Sequence, residues 1–321
     1  MKAIVCTKYG PPEVLQLKEI EKPTHKDNEV CIKIHATAIT HSDIIVRGFK
    51  VQGGMRFLMG LAIGFSKPRN PLLGMILAGE VESTGKATKR FKKGDQVYGV
   101  TIKSAMQPRL GTYAEYKCLP YDSYLVSKPS NVTYEEAAAV PYGGLIALSF
   151  LKKGKIKSGQ KILVYGASGS IGTSIVQLAK HFGANVTGVC STSNVELVKS
   201  LGADAVIDYT KEDFTDSGEL YDIIFDSVPA GMMNRKDLKN KSKKALTANG
   251  KYLSIADGRP EFSIEGLILL NELLQTGKIR PIIDKCYPLE QIIEAHRFVE
   301  LGHKKGNVVI SIRTSTKGDN Q

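Results

Sequence analysis

The sequence that decides the fold is YGASGSIGTSIVQLAKHFG, residues 165–183. Its glycines Gly166, Gly169 and Gly172 recur at intervals of three residues, and the apolar run KILVY leads into them. Apolar residues at helical spacing follow, and Gly183 ends the predicted helix. A strand, a tight glycine turn and a helix in this order are typical of a dinucleotide-binding unit.

Each glycine has its own task in such a unit. Gly166 permits the sharp turn, Gly169 lets the backbone approach a pyrophosphate, and Gly172 lets the helix lie against the strand. The free N–H groups at the helix start and the helix dipole attract a phosphate. We therefore predict that this turn binds the diphosphate of a dinucleotide. The alternative is a tight turn that packs against a helix and binds no ligand.

The residues after the next strand indicate which dinucleotide is bound. The strand NVTGVC is followed by STSN, residues 191–194, where a carboxylate would hold a ribose 2′-OH and repel a 2′-phosphate. The first acid is Glu196, inside the next helix, and no Arg or Lys stands in the run. Ser191, Ser193 and Asn194 can donate hydrogen bonds to a phosphate, so we predict a modest preference for NADPH over NADH. The alternative is that the run only caps the following helix.

Strand patterns divide the chain into two kinds of structure. Short β-like runs broken by Gly, Pro and Asp fill the first third, which predicts a β-rich or barrel-like unit. The runs are 29–39, 74–84, 95–100 and 112–119. Apolar strands then alternate with helices, which predicts a parallel, doubly wound sheet and an α/β fold class. These strands are 161–165, 185–190, 204–209, 221–228 and 250–256.

Length and charge leave several classes of function open. The chain has 321 residues, which suits two domains, and a net charge of +12 at pH 7. A nucleic acid, an anionic membrane surface or an anionic small ligand would each fit that charge. The densest basic run, 235–244, is interpreted as a solvated helix face, and no nucleic-acid-binding signature accompanies it. The apolar stretch 55–65 is shorter than the about 20 residues that a membrane span needs.

Cysteine usage points to a reducing compartment. Five cysteines are scattered along the chain without a C-x-x-C pair, which fits neither a disulfide scaffold nor a cysteine-rich zinc site. The first ten residues, MKAIVCTKYG, are typical of a strand rather than of a signal peptide. We therefore expect a cytoplasmic protein.

Motifs along the whole chain carry a family resemblance. They are ATAITHSD (36–43), LAGEVESTG (77–85), FKKGDQVYG (91–99), GTYAEY (111–116), AAAVPYGGLIAL (137–148), YGASGSIG (165–172) and SLGADAVIDY (200–209). The chain resembles the medium-chain dehydrogenase/reductases, specifically their zinc-independent quinone oxidoreductase group. The resemblance implies a GroES-like catalytic domain, 1–125 and 284–321, with a Rossmann NADPH-binding domain, 126–283, inserted between its parts. It also implies a homodimer.

The same resemblance implies that no metal is bound. Zinc alcohol dehydrogenases of this superfamily have a cysteine ligand where this chain has Thr40. They have a G-H-E run where this chain has Gly74-Met75-Ile76. Hydroxyl and thioether groups bind Zn²⁺ poorly. We interpret His41 and Asp43 as members of a packed or hydrogen-bonded turn.

Site residues follow from the resemblance. The expected catalytic residues are Thr40, Ser42 and Tyr142, although each also fits a structural role. The expected cofactor-binding residues are Gly166, Ser168, Gly169, Ser170, Ile171, Gly172, Ser191, Ser193, Asn194 and Tyr209. The implied reaction is hydride transfer from NADPH to a small hydrophobic quinone or an α,β-unsaturated carbonyl compound. The alternatives are a non-catalytic NADPH-binding protein, an alcohol or aldehyde reductase of the same superfamily, and a basic partner of nucleic acid or membrane surfaces.

The apolar stretch MRFLMGLAIGF, 55–65, lies between the turn at 40–43 and the strand at 74–84. Its methionines and glycines make it adaptable. We predict that it lines or covers a hydrophobic substrate site, with a core segment or a dimer contact as the alternatives.

Overall fold

Two sheets of different kinds order the chain, and the predicted α/β class is confirmed. The structure is a computed structural model. It describes residues 1–51, 53–102, 109–229, 234–257 and 260–312. The strands are β1 (Lys2–Cys6), β2 (Leu15–Glu19), β3 (Glu29–Ile39), β4 (Ile76–Thr84), β5 (Gln96–Val100), β6 (Tyr116–Pro120), β7 (Tyr124–Ser127), β8 (Lys161–Tyr165), β9 (Asn185–Cys190), β10 (Ala205–Asp208), β11 (Tyr221–Asp226), β12 (Leu246–Ser254), β13 (Ile283–Pro288) and β14 (Asn307–Ser311). The helices are α1 (His41–Gly48), α2 (Gly54–Ile63), α3 (Tyr134–Ala139), α4 (Pro141–Gly154), α5 (Ser170–His181), α6 (Val195–Ser200), α7 (Arg235–Lys244), α8 (Ile264–Gln275) and α9 (Ile292–Glu300).

A seven-stranded, mostly antiparallel sheet gathers strands from both ends of the chain. Its order is β13-β14-β3-β4-β5-β7, and β6 also pairs with β3. The long strand β3 is buried along most of its length because sheet neighbours and helix α3 cover it. β14 pairs with the last residues of β3, with Val308 opposite Ile39. The chain end therefore returns to the β-rich unit. The limits 1–125, 126–283 and 284–321 stay predictions, and residues beyond 312 lie outside the described part.

The second sheet is parallel and has the order β10-β9-β8-β11-β12. Its central strands are continuously apolar, as a sheet covered on both faces requires. Successive strands run outward from β8 in one direction and then, from β11, in the other. A sheet of this kind binds ligands at that reversal, outside the carboxyl ends of the strands. Ser227, just after β11, donates hydrogen bonds to the carbonyls of Tyr165 (2.7 Å) and Gly166 (3.1 Å), which joins the two strands at the reversal.

Two segments differ from the sequence patterns. The helical pattern over 132–153 is divided into α3 and α4 at Val140, because the next residue, Pro141, occupies the first turn of the second helix. The stretch 55–65 contains most of α2, yet Phe57, Leu61 and Phe65 are exposed. The core interpretation is therefore wrong for these side chains, while the substrate-cover and dimer-contact interpretations stay predictions.

The basic run 235–244 forms α7, a surface helix. Leu238 and Ser242 are buried against the sheet while most of its charged side chains are exposed, which confirms the solvated interpretation. Among the described residues, no helix combines the length and apolar character that crossing a bilayer requires.

Candidate cofactor and substrate site

The glycine turn joins β8 to α5 at the reversal of strand order. Gly166 has a φ of +80°, a conformation that favours glycine. A Cβ on Gly172 would lie 2.1 Å from the Gly166 carbonyl oxygen, so only glycine permits this close contact of helix and turn. A Cβ on Gly169 would meet only that same oxygen, at 3.5 Å, which leaves its other side open. Diphosphate binding at this turn stays a prediction.

Backbone N–H groups at the start of α5 are free of helix bonds, whereas the Ser170 hydroxyl is already engaged. The first bond of the α5 ladder runs from the Thr173 N–H to the Gly169 carbonyl (2.9 Å), so the N–H groups of 170–172 precede the ladder. The Ser170 hydroxyl donates to Asn307 Oδ1 (2.6 Å), and the Ser168 carbonyl accepts from the Gly306 N–H (2.8 Å). Ile171 is half-buried beside them.

A loop that sequence reasoning missed packs on this turn. Residues 303–306 lead into β14, and Gly306 pairs with Gly169 across an isolated bridge. Lys304 donates to the Gly306 carbonyl, and burial lowers the pKa of Lys304 to about 8, opposed by Asp284. Burial also lowers the pKa of His41, and the charge of nearby Lys304 lowers it further. No local sequence motif predicts that this loop belongs to the site, because only the fold brings it next to the glycine turn.

The run 191–194 forms a 3₁₀ turn at the carboxyl end of β9. Asn194 Nδ2 donates to Ser191 Oγ (3.0 Å), and Ser193 Oγ lies 3.5 Å from Ser191 Oγ. The Asn194 side chain makes no capping bond to α6, so helix capping does not account for this residue. Tyr209 is exposed and its ring stacks on that of Tyr165, with 6.3 Å between centroids.

The fold brings two charged side chains to this run that its own sequence lacks. A carboxylate does lie there, because β10 pairs with β9 and brings Asp208 to the end of that strand; Thr192 Oγ1 donates to Asp208 Oδ2 (2.5 Å). Hydrogen bonds from Thr192 and Thr210 lower the pKa of Asp208 to about 2. A cation lies there too, because Lys305 Nζ donates to the Ser193 carbonyl (3.3 Å).

The turn between β3 and α1 holds Thr40 through a capping box. The Thr40 N–H and Oγ1–H donate to Asp43 Oδ2 (2.8 and 2.7 Å), and the Asp43 N–H donates to Thr40 Oγ1 (3.3 Å). Asp43 is buried, which raises its pKa to about 6. The predicted hydrogen-bonded turn is therefore confirmed for Asp43. The proton of the Thr40 hydroxyl is directed at this carboxylate.

The positions that hold zinc ligands in the alcohol dehydrogenases contact each other here. Thr40 Oγ1 lies 4.0 Å from Met75 Sδ. A hydroxyl already bound to a carboxylate and a thioether make a donor set that does not fit Zn²⁺. Within the residues described, no three His, Cys, Asp or Glu side chains converge in a metal-binding group.

The structure joins Ser42 and Tyr142, which lie on different helices. Ser42 Oγ and Tyr142 Oη share a hydrogen bond between the first turns of α1 and α4. The Tyr142 ring also packs edge-on against Phe262, with 6.1 Å between centroids. Burial raises the pKa of Tyr142, so its hydroxyl stays protonated over the neutral range. The catalytic roles of Thr40, Ser42 and Tyr142 stay predictions.

Family models match most of the chain. The alcohol dehydrogenase GroES-like domain matches residues 26–130, and two zinc-binding dehydrogenase models match residues 170–281 and 265–310.

Individual relatives are similar over nearly the full chain. A 2-methylene-furan-3-one reductase of Solanum lycopersicum is 35% identical over 97% of this chain and 79% of its own length. An NADPH-dependent alkenal/one oxidoreductase of Arabidopsis thaliana, a chloroplastic protein, is 32% identical over the same shares. The quinone oxidoreductase structure of Coxiella burnetii has a TM-score of 0.81 and 27% identity, and the match covers 98% of this chain and 99% of that one. The chain therefore belongs to the medium-chain dehydrogenase/reductase superfamily, among its quinone and enone oxidoreductases.

The buried Asp43 carboxyl predicts a pH-dependent stability. Because its pKa rises from 3.8 to about 6 on folding, the folded state holds a proton that the unfolded state has lost between these values. The free energy of unfolding therefore falls as pH rises through this window, by on the order of 3 kcal/mol. In Asp43→Asn this contribution is absent. Denaturant unfolding of the wild type and of Asp43→Asn between pH 4 and pH 7 tests this pH dependence. Parallel profiles of unfolding free energy against pH would contradict the role of Asp43.

Proposed function

We propose that this chain is an NADPH-dependent, zinc-independent oxidoreductase that reduces quinones or α,β-unsaturated carbonyl compounds by hydride transfer. The observation that carries the proposal is a glycine turn of the kind that attracts phosphate, beside the half-buried Lys304, in a chain whose zinc-ligand positions hold Thr40 and Met75. The names of the relatives, which include an NADPH-dependent alkenal/one oxidoreductase and a quinone oxidoreductase, support the same activity.

The residues present suit NADPH. The N–H groups of 170–172 and the Lys304 ammonium would hold the diphosphate, with the open side of Gly169 giving room for it. Ser191, Ser193, Asn194 and Tyr209 would contact the adenosine end, where Lys305 adds a positive charge for the 2′-phosphate. When bound, the cofactor supplies the hydride.

Protein hydroxyls would complete the reduction. The hydrogen bond between Ser42 and Tyr142 holds two protonated hydroxyls together beside the turn between β3 and α1. This pair can donate a proton to the carbonyl or quinone oxygen of the acceptor. Hydride adds to the electron-poor carbon or quinone ring, and the oxygen that gains negative charge takes its proton from this pair. Thr40 directs its own proton to Asp43 and so acts by positioning the turn.

Assembly and location belong to the same proposal. The exposed apolar side chains of Phe57 and Leu61 on α2 and of Phe65 just after it would either cover a hydrophobic acceptor or contact the second chain of a homodimer. The five cysteines, all thiols in the structure, suit a cytoplasmic location. The domain limits are proposed as 1–125 and 284–321 for the catalytic unit and 126–283 for the cofactor-binding unit.

An acceptor panel tests the function. We expect the purified protein to oxidise NADPH when a small quinone or an alkenal is added, and to leave a saturated aldehyde unreduced, because only conjugated acceptors are electron-poor without a metal. A strong chelator should not change the rate. NADPH binding without turnover would indicate the non-catalytic alternative, and turnover confined to aldehydes or alcohols would indicate the alcohol-reductase alternative.

The proton donor is tested by Tyr142→Phe, which keeps the ring contact with Phe262 and removes the hydroxyl. We expect kcat for an alkenal to fall roughly 10²-fold with little change in the Kd of NADPH. The control is Tyr134→Phe, since the Tyr134 ring stacks on His35 away from this pair. An unchanged kcat and solvent isotope effect in Tyr142→Phe would remove the tyrosine from the mechanism.

The 2′-phosphate contact is tested by Lys305→Gln. Loss of one charge-assisted hydrogen bond is worth about 1.4 kcal/mol, so the Kd of NADPH should rise about tenfold while that of NADH stays the same. Lys199→Gln is the matched control, because Lys199 is exposed on the neighbouring helix and pairs with Glu196. Equal changes for both nucleotides, measured by titration of nicotinamide fluorescence, would contradict this role.

A further inference from the structure

Two cysteines far apart in the sequence face each other across neighbouring strands of the seven-stranded sheet. β3 and β6 run antiparallel, with Cys31 directly opposite Cys118. The Ile34 N–H donates to the Glu115 carbonyl (2.8 Å), which makes that position a hydrogen-bonded pair. Cys31 and Cys118 lie three positions further along the same ladder. Because the two kinds of pair alternate, they form a non-hydrogen-bonded pair, in which the side chains are closest.

This register fits a disulfide without movement of the backbone. Cα atoms of a non-hydrogen-bonded pair are about 4.5 Å apart, and a disulfide requires roughly 4.4–6.8 Å. The Cys118 thiol, on the strand directly beside Cys31, donates to the Pro23 carbonyl (3.5 Å). Cys31 is 2% exposed and Cys118 is half-buried, so a small oxidant has access to the pair while a large one does not.

The surroundings make the two sulfurs chemically unequal. The Cys118 thiol and the Lys22 ammonium stabilise a thiolate at Cys31 and lower its pKa, whereas the pKa of Cys118 is raised. Lys22 is held in place by Glu82 (2.9 Å) and by the face of Tyr116 (3.9 Å to the ring centroid). A thiolate beside a protonated thiol is the arrangement of an attacking and a resolving cysteine.

We propose that Cys31 and Cys118 are an oxidation site, at which hydrogen peroxide closes a reversible cross-strand disulfide. The Cys31 thiolate attacks one peroxide oxygen; the O–O bond breaks, hydroxide leaves, and Cys31 becomes a sulfenic acid. The Cys118 sulfur then attacks the Cys31 sulfur; the S–S bond forms, the S–O bond breaks, and water leaves with the Cys118 proton. Two electrons pass from the thiols to the peroxide, so the step is balanced and independent of the proposed reductase activity.

The bond would tie β3 to β6 and close the long loop between residues 31 and 118. Such a crosslink restricts the unfolded chain, so the oxidised protein should melt at a higher temperature than the reduced one. Cys31 stands near the amino end of β3, whereas the turn at Thr40 follows its carboxyl end. We therefore expect KM for the acceptor to be unchanged by oxidation.

Peptide mapping of the full chain after graded hydrogen peroxide treatment tests the proposal. We expect a linked Cys31–Cys118 peptide that is lighter than its two thiol parts by two hydrogen atoms and is cleaved by dithiothreitol. Titratable thiols should fall from five to three per chain, because two are consumed. A wild-type map with oxidised cysteines but no such link would overturn the proposal, whatever any variant does.

Two variants sharpen the test. Cys118→Ser should leave Cys31 as a sulfenic acid that dimedone traps, since the resolving thiol is gone. Cys286→Ser is the matched control, because Cys286 is exposed on β13, outside the pair, and its loss should leave the Cys31–Cys118 link intact. Loss of the link in Cys286→Ser, or a dimedone adduct on Cys118 in the wild type instead of on Cys31, would contradict the assigned roles.

Discussion

The antiparallel pairing of β14 with β3 is the contact on which the site depends. It returns the chain end to the β-rich sheet, and in doing so lays the loop 303–306 on the glycine turn of the parallel sheet. The Gly306 N–H donates to the Ser168 carbonyl, and Asn307 Oδ1 accepts a hydrogen bond from the Ser170 hydroxyl. One strand pairing thus aligns two sheets that are built from different parts of the chain.

Hydroxyl groups of the proposed site differ in the hydrogen bonds that they donate. The Thr40 hydroxyl donates a hydrogen bond to Asp43, and the Ser170 hydroxyl donates one to Asn307. Ser42 and Tyr142 share one hydrogen bond between two hydroxyls, and this pair is the proposed proton donor. We propose that Thr40 and Ser170 position the backbone while the Ser42–Tyr142 pair serves catalysis, a distinction that the presence of a hydroxyl group in the sequence does not reveal.

A few individual side chains, rather than the net charge of the chain, set the charge around the proposed cofactor. The net charge of +12 is spread over the surface, and α7 shows that a dense basic run can be a plain solvated face. Lys304 and Lys305 differ from those residues because they lie against the glycine turn and the run 191–194. Asp208 borders the same run through Thr192, but three hydroxyl and amide donors and Lys211 already offset its charge.

The sequence by itself determined the fold class, most of the strands, the helix that follows the glycine turn, and the non-ligand groups at Thr40 and Met75. These features are local: each is encoded by the spacing of apolar residues, by glycines within a few positions, or by a single residue type in a motif. Only the tertiary structure decided that Ser42 meets Tyr142, that Asp208 and Lys305 border the run 191–194, and that Cys31 faces Cys118. The physical reason is that strand register and the return of β14 bring these residues together, and no spacing along the chain records which distant strands will pair.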